Sequence, residues 1–105
     1  MNFDLGDFFP LKNNLFNSSV GEILKSECKD SISKKDFKIN SISSLNNMKD
    51  LSILFLSNIK IKSTNTFSKI HVITDDISIF KSKKFENISL VKNINTSYNR
   101  IINFL

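Results

Sequence analysis

Few residues in this 105-residue chain have the type and spacing to do chemistry. There is one histidine, so the chain alone forms no His-paired metal site and no histidine dyad. His71 lies inside "KIHVITD", a run that alternates like a strand, and reads as a satisfied or surface histidine rather than a catalyst. The one cysteine, Cys28, has no internal disulfide partner, which fits a reducing compartment and a cytoplasmic location. No histidine lies near it in sequence to activate it, so it reads as a structural thiol. Asp75 and Asp76 are adjacent. At the end of a strand their side chains point apart, which suits a solvated turn better than a pair of catalytic carboxylates. G-x-S-x-G, Walker A, G-x-G-x-x-G and C-x-x-C are all missing from the sequence. With two glycines in all, a glycine-cradled phosphate site is not expected. A nucleophile, a base and an orienter do not assemble, so the chain reads as a binding module rather than an enzyme. What remains is "LSILFLSNIKI", Leu51 to Ile61. It is an apolar strand that ends at Ser57 and Asn58, where the asparagine either turns the chain or holds a ligand.

The elements that must position these residues follow from periodicity. Residues 1–17 read as an aromatic arm with Phe3, Phe8, Phe9 and Phe16, in which Pro10 favours an extended Phe9. Ser19 and Glu22 match a capping box, which predicts a short helix from Val20 to Lys25. "KDSISKKD" reads as a polar connector. "FKINSIS" from Phe37 alternates and predicts a strand, with Phe37 and Ile39 on one face and Ile42 on the other. Leu51 to Leu56 predicts a second strand, with Leu51, Ile53 and Phe55 on one face and Ser52, Leu54 and Leu56 on the other. Two apolar faces mark an interior strand of an α/β sheet. Lys69–Asp75 and Ile88–Asn93 predict two more strands, and "DDISIFKSKK" between them a short helix. Asn95 then caps a last helix, whose Tyr98, Ile101, Ile102 and Leu105 share one apolar face. The expected fold is a small single α/β domain over residues 18–105, a four-to-five-stranded sheet flanked by short helices with a helix at the C-terminus.

Composition agrees. Hydrophobic residues make up 40% of the chain, as in a globular domain, and its length suits one domain. The net charge is +5, but the lysines are scattered and the one cluster is "KSKK" at Lys81–Lys84. That pattern does not select nucleic acid as a partner. No apolar run reaches the roughly 20 residues that span a bilayer, and the N-terminus lacks the basic region of a secretory signal.

Around the Leu51–Ile61 stretch, "INSISSLNNMKDLSILFLSNIKI" resembles the N-terminal domain of UDP-3-O-(3-hydroxyacyl)glucosamine N-acyltransferase, an enzyme of bacterial lipid A (lipopolysaccharide) synthesis. That family reads approximately I-x-x-(I/V)-(A/S)-S-L, a loop, then D-(I/L)-S-F-L-x-N-x-K-Y. Ile42, Ser43, Ser44 and Leu45 match the first part, and Phe55, Leu56, Asn58 and Lys60 the second. "KIHVITDD" looks like the family's strand ending in V-I-V. "ISLVKNINTSYNRIINFL" looks like L-I-V-V-x-N-P-Y-x-A-(F/Y)-A-x-(I/L)-L-x-L-F, with Asn93, Tyr98 and Ile101 in place. "FFPLKNNLFNSSVGEI" is similar to the family's opening, where a Phe pair precedes a Thr/Ser-Leu-x-Glu helix start. Five weak motifs thus run in one order over nearly the whole chain.

The resemblance implies a domain that grips the uridine of a UDP-sugar. By position, Phe55 would stack on the uracil and Asn58 would hydrogen-bond the nucleoside, with Lys60 and Ile61 in the same segment. Ile61 stands where the family has Tyr, and offers an apolar face without a ring or hydroxyl. Ser52 stands for the family's Asp, Leu54 for its Ser, and Ile94 and Asn95 for Pro and Tyr. The family's acyl transfer belongs to a following left-handed β-helix of hexapeptide repeats, which carries the catalytic histidine and forms trimers. That domain is expected to be absent from this chain, and His71 does not match its histidine. The implied partners are a UDP-linked acylglucosamine substrate, and the acyl-carrier protein that donates the acyl group through the β-helix domain. A homotrimer is implied only where that domain is present. No cofactor, nucleic acid or transmembrane segment is expected in this chain. The alternative is a protein-interaction or degenerate, non-binding α/β module, in which Phe3, Phe8, Phe9 and the last helix dock onto a partner.

Overall fold

The computed structural model describes residues 14–57 and 67–104. Among the described residues there are seven strands: β1 (Leu15–Phe16), β2 (Cys28–Ser33), β3 (Lys38–Ile39), β4 (Ser41–Ser43), β5 (Ser52–Leu56), β6 (Phe67–Thr74) and β7 (Phe85–Val91). The α-helices are α1 (Val20–Leu24), α2 (Ile77–Lys81) and α3 (Ile94–Phe104). Five strands form one mixed sheet in the order β2-β7-β6-β5-β4, and β1 and β3 form a separate antiparallel pair. The strands from β4 to β7 are parallel, each lying beside the one before it, and β2 closes the β7 edge antiparallel. The expected α/β class and its last helix are therefore present.

The described connections between parallel strands, from β4 to β5 and from β6 to β7, lie on one face of the sheet, as right-handed crossovers that step in one direction require. Met48 between β4 and β5, and Ile79 and Phe80 of α2 between β6 and β7, pack together there against Leu54, Leu56, Val72 and Ile88. The opposite face carries Ile53, Ile73 and Val91, covered by Val20 and Leu24 of α1, Ile101 of α3, and Leu15 and Ile39 of the small sheet. The two-residue period of β5 sends Ile53 to one core and Leu54 and Leu56 to the other, as its sequence predicts.

Several boundaries move. "KDSISKKD" supplies most of β2 instead of a connector. It is an edge strand, and Lys29 to Ser33 are exposed, so no apolar alternation announces it. "FKINSIS" is cut at Asn40, whose N–H donates to the Leu51 carbonyl at 2.7 Å as the chain passes from pairing with β1 to pairing with β5. Leu51 is a turn residue with φ of 59°, so β5 starts at Ser52. Ser19 does precede α1, but its side chain makes no capping bond, because the preceding 3-10 turn Asn17–Ser19 holds it at φ −99° and ψ −4°. A capping side chain needs an extended N-cap backbone. Asp76 has that backbone and caps α2, accepting from the Ser78 N–H at 2.8 Å.

The cap of α3 lies two residues before Asn95. Asn93 accepts from the Thr96 N–H at 2.9 Å through its side chain, and its carbonyl takes the Ser97 N–H and hydroxyl. The inward face of α3 shifts accordingly to Ile94, Ser97, Ile101 and Phe104, and Tyr98 is exposed. Leu105, expected on that face, lies outside the described residues.

Candidate functional site

Among the described residues, chemistry-bearing side chains gather in two places, and the first is the C-terminal end of the parallel strands. Phe55 is the penultimate residue of β5, half-buried against the core beneath α1 and α3. Its ring meets that of Tyr98 from α3 edge-to-face, with centroids 5.1 Å apart and planes at 66°. Just beyond the strand, the Ser57 hydroxyl donates to Asp75 Oδ1 at 2.7 Å and ties the exit of β5 to that of β6. Ser57, Asp75, Asp76 and Ile77 line an open hollow of about 390 Å3. The chain leaves β6 for α2 on one face and leaves β7 for α3 on the other, so the connections diverge at this edge. Open α/β sheets hold ligands where connections part in this way.

Asp75 and Asp76 do separate work, as adjacent residues at a strand end must. Asp75 is exposed and takes the serine, while Asp76 caps α2 and donates its own N–H to Thr74 Oγ1 at 3.0 Å. Of the site residues expected from sequence, Phe55 is at this edge. Asn58, Lys60 and Ile61 follow Ser57 in the chain and lie outside the described residues.

The second place surrounds His71, which is fully buried on the face shared with α1 and α3. Its hydrogen-bond directions can be assigned outward from Asn87. Asn87 Oδ1 accepts the Lys34 N–H at 2.9 Å, so its Nδ2 is the group that donates to the Ser68 carbonyl at 2.9 Å. Asn17 Nδ2 must then donate to Asn87 Oδ1 and to the Lys35 carbonyl, each at 2.7 Å. That leaves Asn17 Oδ1 to accept from His71 Nδ1, which carries the proton. His71 Nε2 accepts the Ser89 hydroxyl at 2.7 Å, and Ser89 accepts that of Ser31 at 2.8 Å. Every side chain in the chain of bonds has a fixed role, as buried polar groups require.

Ser89, His71 and Asn17 stand in the order nucleophile, base, orienter. Two facts oppose that chemistry. Ser89 has no exposed surface. Burial holds the His71 imidazole down at about 3, so it stays neutral, and a general base works best poised near the working pH. The network is a brace that fastens Asn17, and with it the segment before α1, to the middle of the sheet. The reading of His71 as a satisfied histidine agrees with it. Cys28 is likewise placed for structure. Burial raises its thiol pKa, the Asp30 backbone bond opposes that and the Asp30 charge adds to it. Among the described residues no group of His, Cys, Asp and Glu could hold a metal ion, and no helix is long and apolar enough to cross a membrane.

No family model, no curated protein and no solved structure matches this chain. Sequence reasoning marked Phe55 but missed the Ser57–Asp75 tie, the exposure of Tyr98 and the part played by Asn17. The first two depend on how β5, β6 and α3 end together. The third had no local signal, because Asn17 stands in a run of asparagines and serines, Asn13 to Ser19, broken only by Leu15 and Phe16.

Proposed function

We propose that this chain is the uridine-recognition module of a UDP-3-O-(3-hydroxyacyl)glucosamine N-acyltransferase of lipid A synthesis, and that it is not catalytic alone. The observation that carries the reading is an aromatic pair, Phe55 and Tyr98, at the C-terminal end of a parallel strand whose exit residue, Ser57, lines a polar hollow open to solvent. A planar base gains about 1–3 kcal/mol from an aromatic face. The Ser57 hydroxyl and the Asp75 carboxylate suit the hydroxyl pair of a ribose, which both donates and accepts. Two carboxylates at the hollow repel a diphosphate, so the ribose and not the phosphates suits it. In this reading Asn58 hydrogen-bonds the nucleoside, and Ile61 adds an apolar contact. In that family the acyl transfer, the acyl-carrier protein and the trimer belong to a hexapeptide-repeat domain, and acyl transfer is assigned to none of these 105 residues.

The test is an NMR titration of the folded chain with UDP-N-acetylglucosamine, with Asn58→Ala as the control. Shifts that cluster at Phe55, Ser57 and Asp75, and are lost in the variant, are expected. A folded sample with no shifts at millimolar ligand refutes the reading.

A further inference from the structure

Two aromatic rings meet at the C-terminal edge, and their geometry decides which can carry a base. To be clamped between two rings, a base needs parallel faces about 7 Å apart, two van der Waals separations. The Phe55 and Tyr98 centroids are 5.1 Å apart with planes at 66°, so the two rings cannot clamp one. One ring must serve as a single platform. Phe55 is half-buried and packs against the core. Tyr98 follows the buried Ser97, and the ~100° turn per residue swings it off the inward face of α3, leaving it 40% exposed. Ile77, which lines the neighbouring hollow, is 49% exposed. Tyr98 stands on the α3 face and Ile77 on the α2 face of the sheet, and the Ser57–Asp75 pair ties the strand ends where these faces part.

We propose that Tyr98 is the base-stacking residue of this site, and that Phe55 is a positioning residue that sets the angle of the Tyr98 ring. The inference rests on the uridine reading above and names the surface that the pyrimidine covers. Stacking needs the ring and not its hydroxyl, so Tyr98→Phe should keep the function and Tyr98→Leu should lose it. Leucine also favours helix and keeps an apolar contact with Phe55, so the variant folds.

Tyr98 is the single tyrosine of a chain without tryptophan, so tyrosine emission reports this site alone. Uridine 5′-diphosphate should quench that emission saturably, after correction for its absorbance, and inorganic pyrophosphate should not. By calorimetry, Tyr98→Leu should weaken the diphosphate on the order of tenfold. Tyr98→Phe should stay within about threefold of the parent, and Phe55→Leu should fall between the two. If the parent and Tyr98→Leu bind uridine 5′-diphosphate equally, the role given to Tyr98 is overturned while the uridine reading stands. If pyrophosphate quenches as well as the nucleotide, the platform is likewise overturned. If the folded parent binds no uridine nucleotide at all, the reading of the site falls and the inference with it.

Discussion

Asn17→Ala isolates the brace that joins the first turn of the domain to its sheet. The wild-type carboxamide accepts from His71 Nδ1 and donates to Asn87 Oδ1 and the Lys35 carbonyl. Its loss is felt unequally. Asn87 Oδ1 keeps the Lys34 N–H, and the carbonyl of the exposed Lys35 can turn to water. The His71 Nδ1–H has no such recourse, because the ring is fully buried. An orphaned buried donor costs about 1–3 kcal/mol, and each lost neutral bond about 1 kcal/mol net or less. A loss of about 2–4 kcal/mol follows, a large share of the 5–15 kcal/mol typical of a domain. Urea unfolding reads it as a lower midpoint at unchanged slope, and melting should fall by roughly 10–25 °C. The exposed Asn14→Ala is the control and should stay within about 0.5 kcal/mol. Combining Asn17→Ala with His71→Leu removes both partners, so the double variant should lose less than the sum of the singles. A loss below about 0.5 kcal/mol for Asn17→Ala, or strict additivity in the cycle, refutes the brace.

Acid should reveal the same histidine. His71 titrates near its ordinary 6.5 when unfolded and at about 3 when folded. As pH falls below 6.5 the unfolded chain takes a proton that the folded chain refuses, so stability is lost toward pH 3, with a slope up to about 1.4 kcal/mol per pH unit. Above 6.5 the residue contributes no slope. His71→Leu removes this contribution, and parallel pH–stability curves for the two proteins would contradict the assignment. Helix capping gives a paired test. Asp76→Ala should cost about 1 kcal/mol because it strips the bond to the Ser78 N–H, while Ser19→Ala should cost less than about 0.5 kcal/mol because Ser19 makes none. Equal losses in urea would show that the two helix starts are built alike.

The legible parts of this fold were those in which a local pattern and the tertiary environment agree. Leu51 to Leu56 is apolar on both faces because β5 lies inside the sheet with a core on each side, and Phe55 stood out within it. The order of helices and strands, and hence the α/β class, followed from such runs. The illegible parts owe their conformation to a distant partner. Lys29 to Ser33 form a strand only because β7 offers an open edge, and the register even slips between Cys28 and Asp30. Asn40 breaks a well-alternating run because two different sheets claim its ends.

The candidate site divides along the same line. Residue types alone established what chemistry is missing, since one histidine, one cysteine and two glycines limit what any fold can assemble. They also marked a strand that ends in an aromatic, a serine and an amide. Tertiary structure alone decided which groups meet. It joined Ser57 to Asp75 across 18 residues, set the Tyr98 ring on Phe55, and buried His71 between Asn17 and Ser89. The physical reason is range. Backbone periodicity acts over a few residues and is written in the order of side chains. A hydrogen bond or a ring contact between distant residues exists only after the sheet has closed, and its geometry is set by everything packed around it.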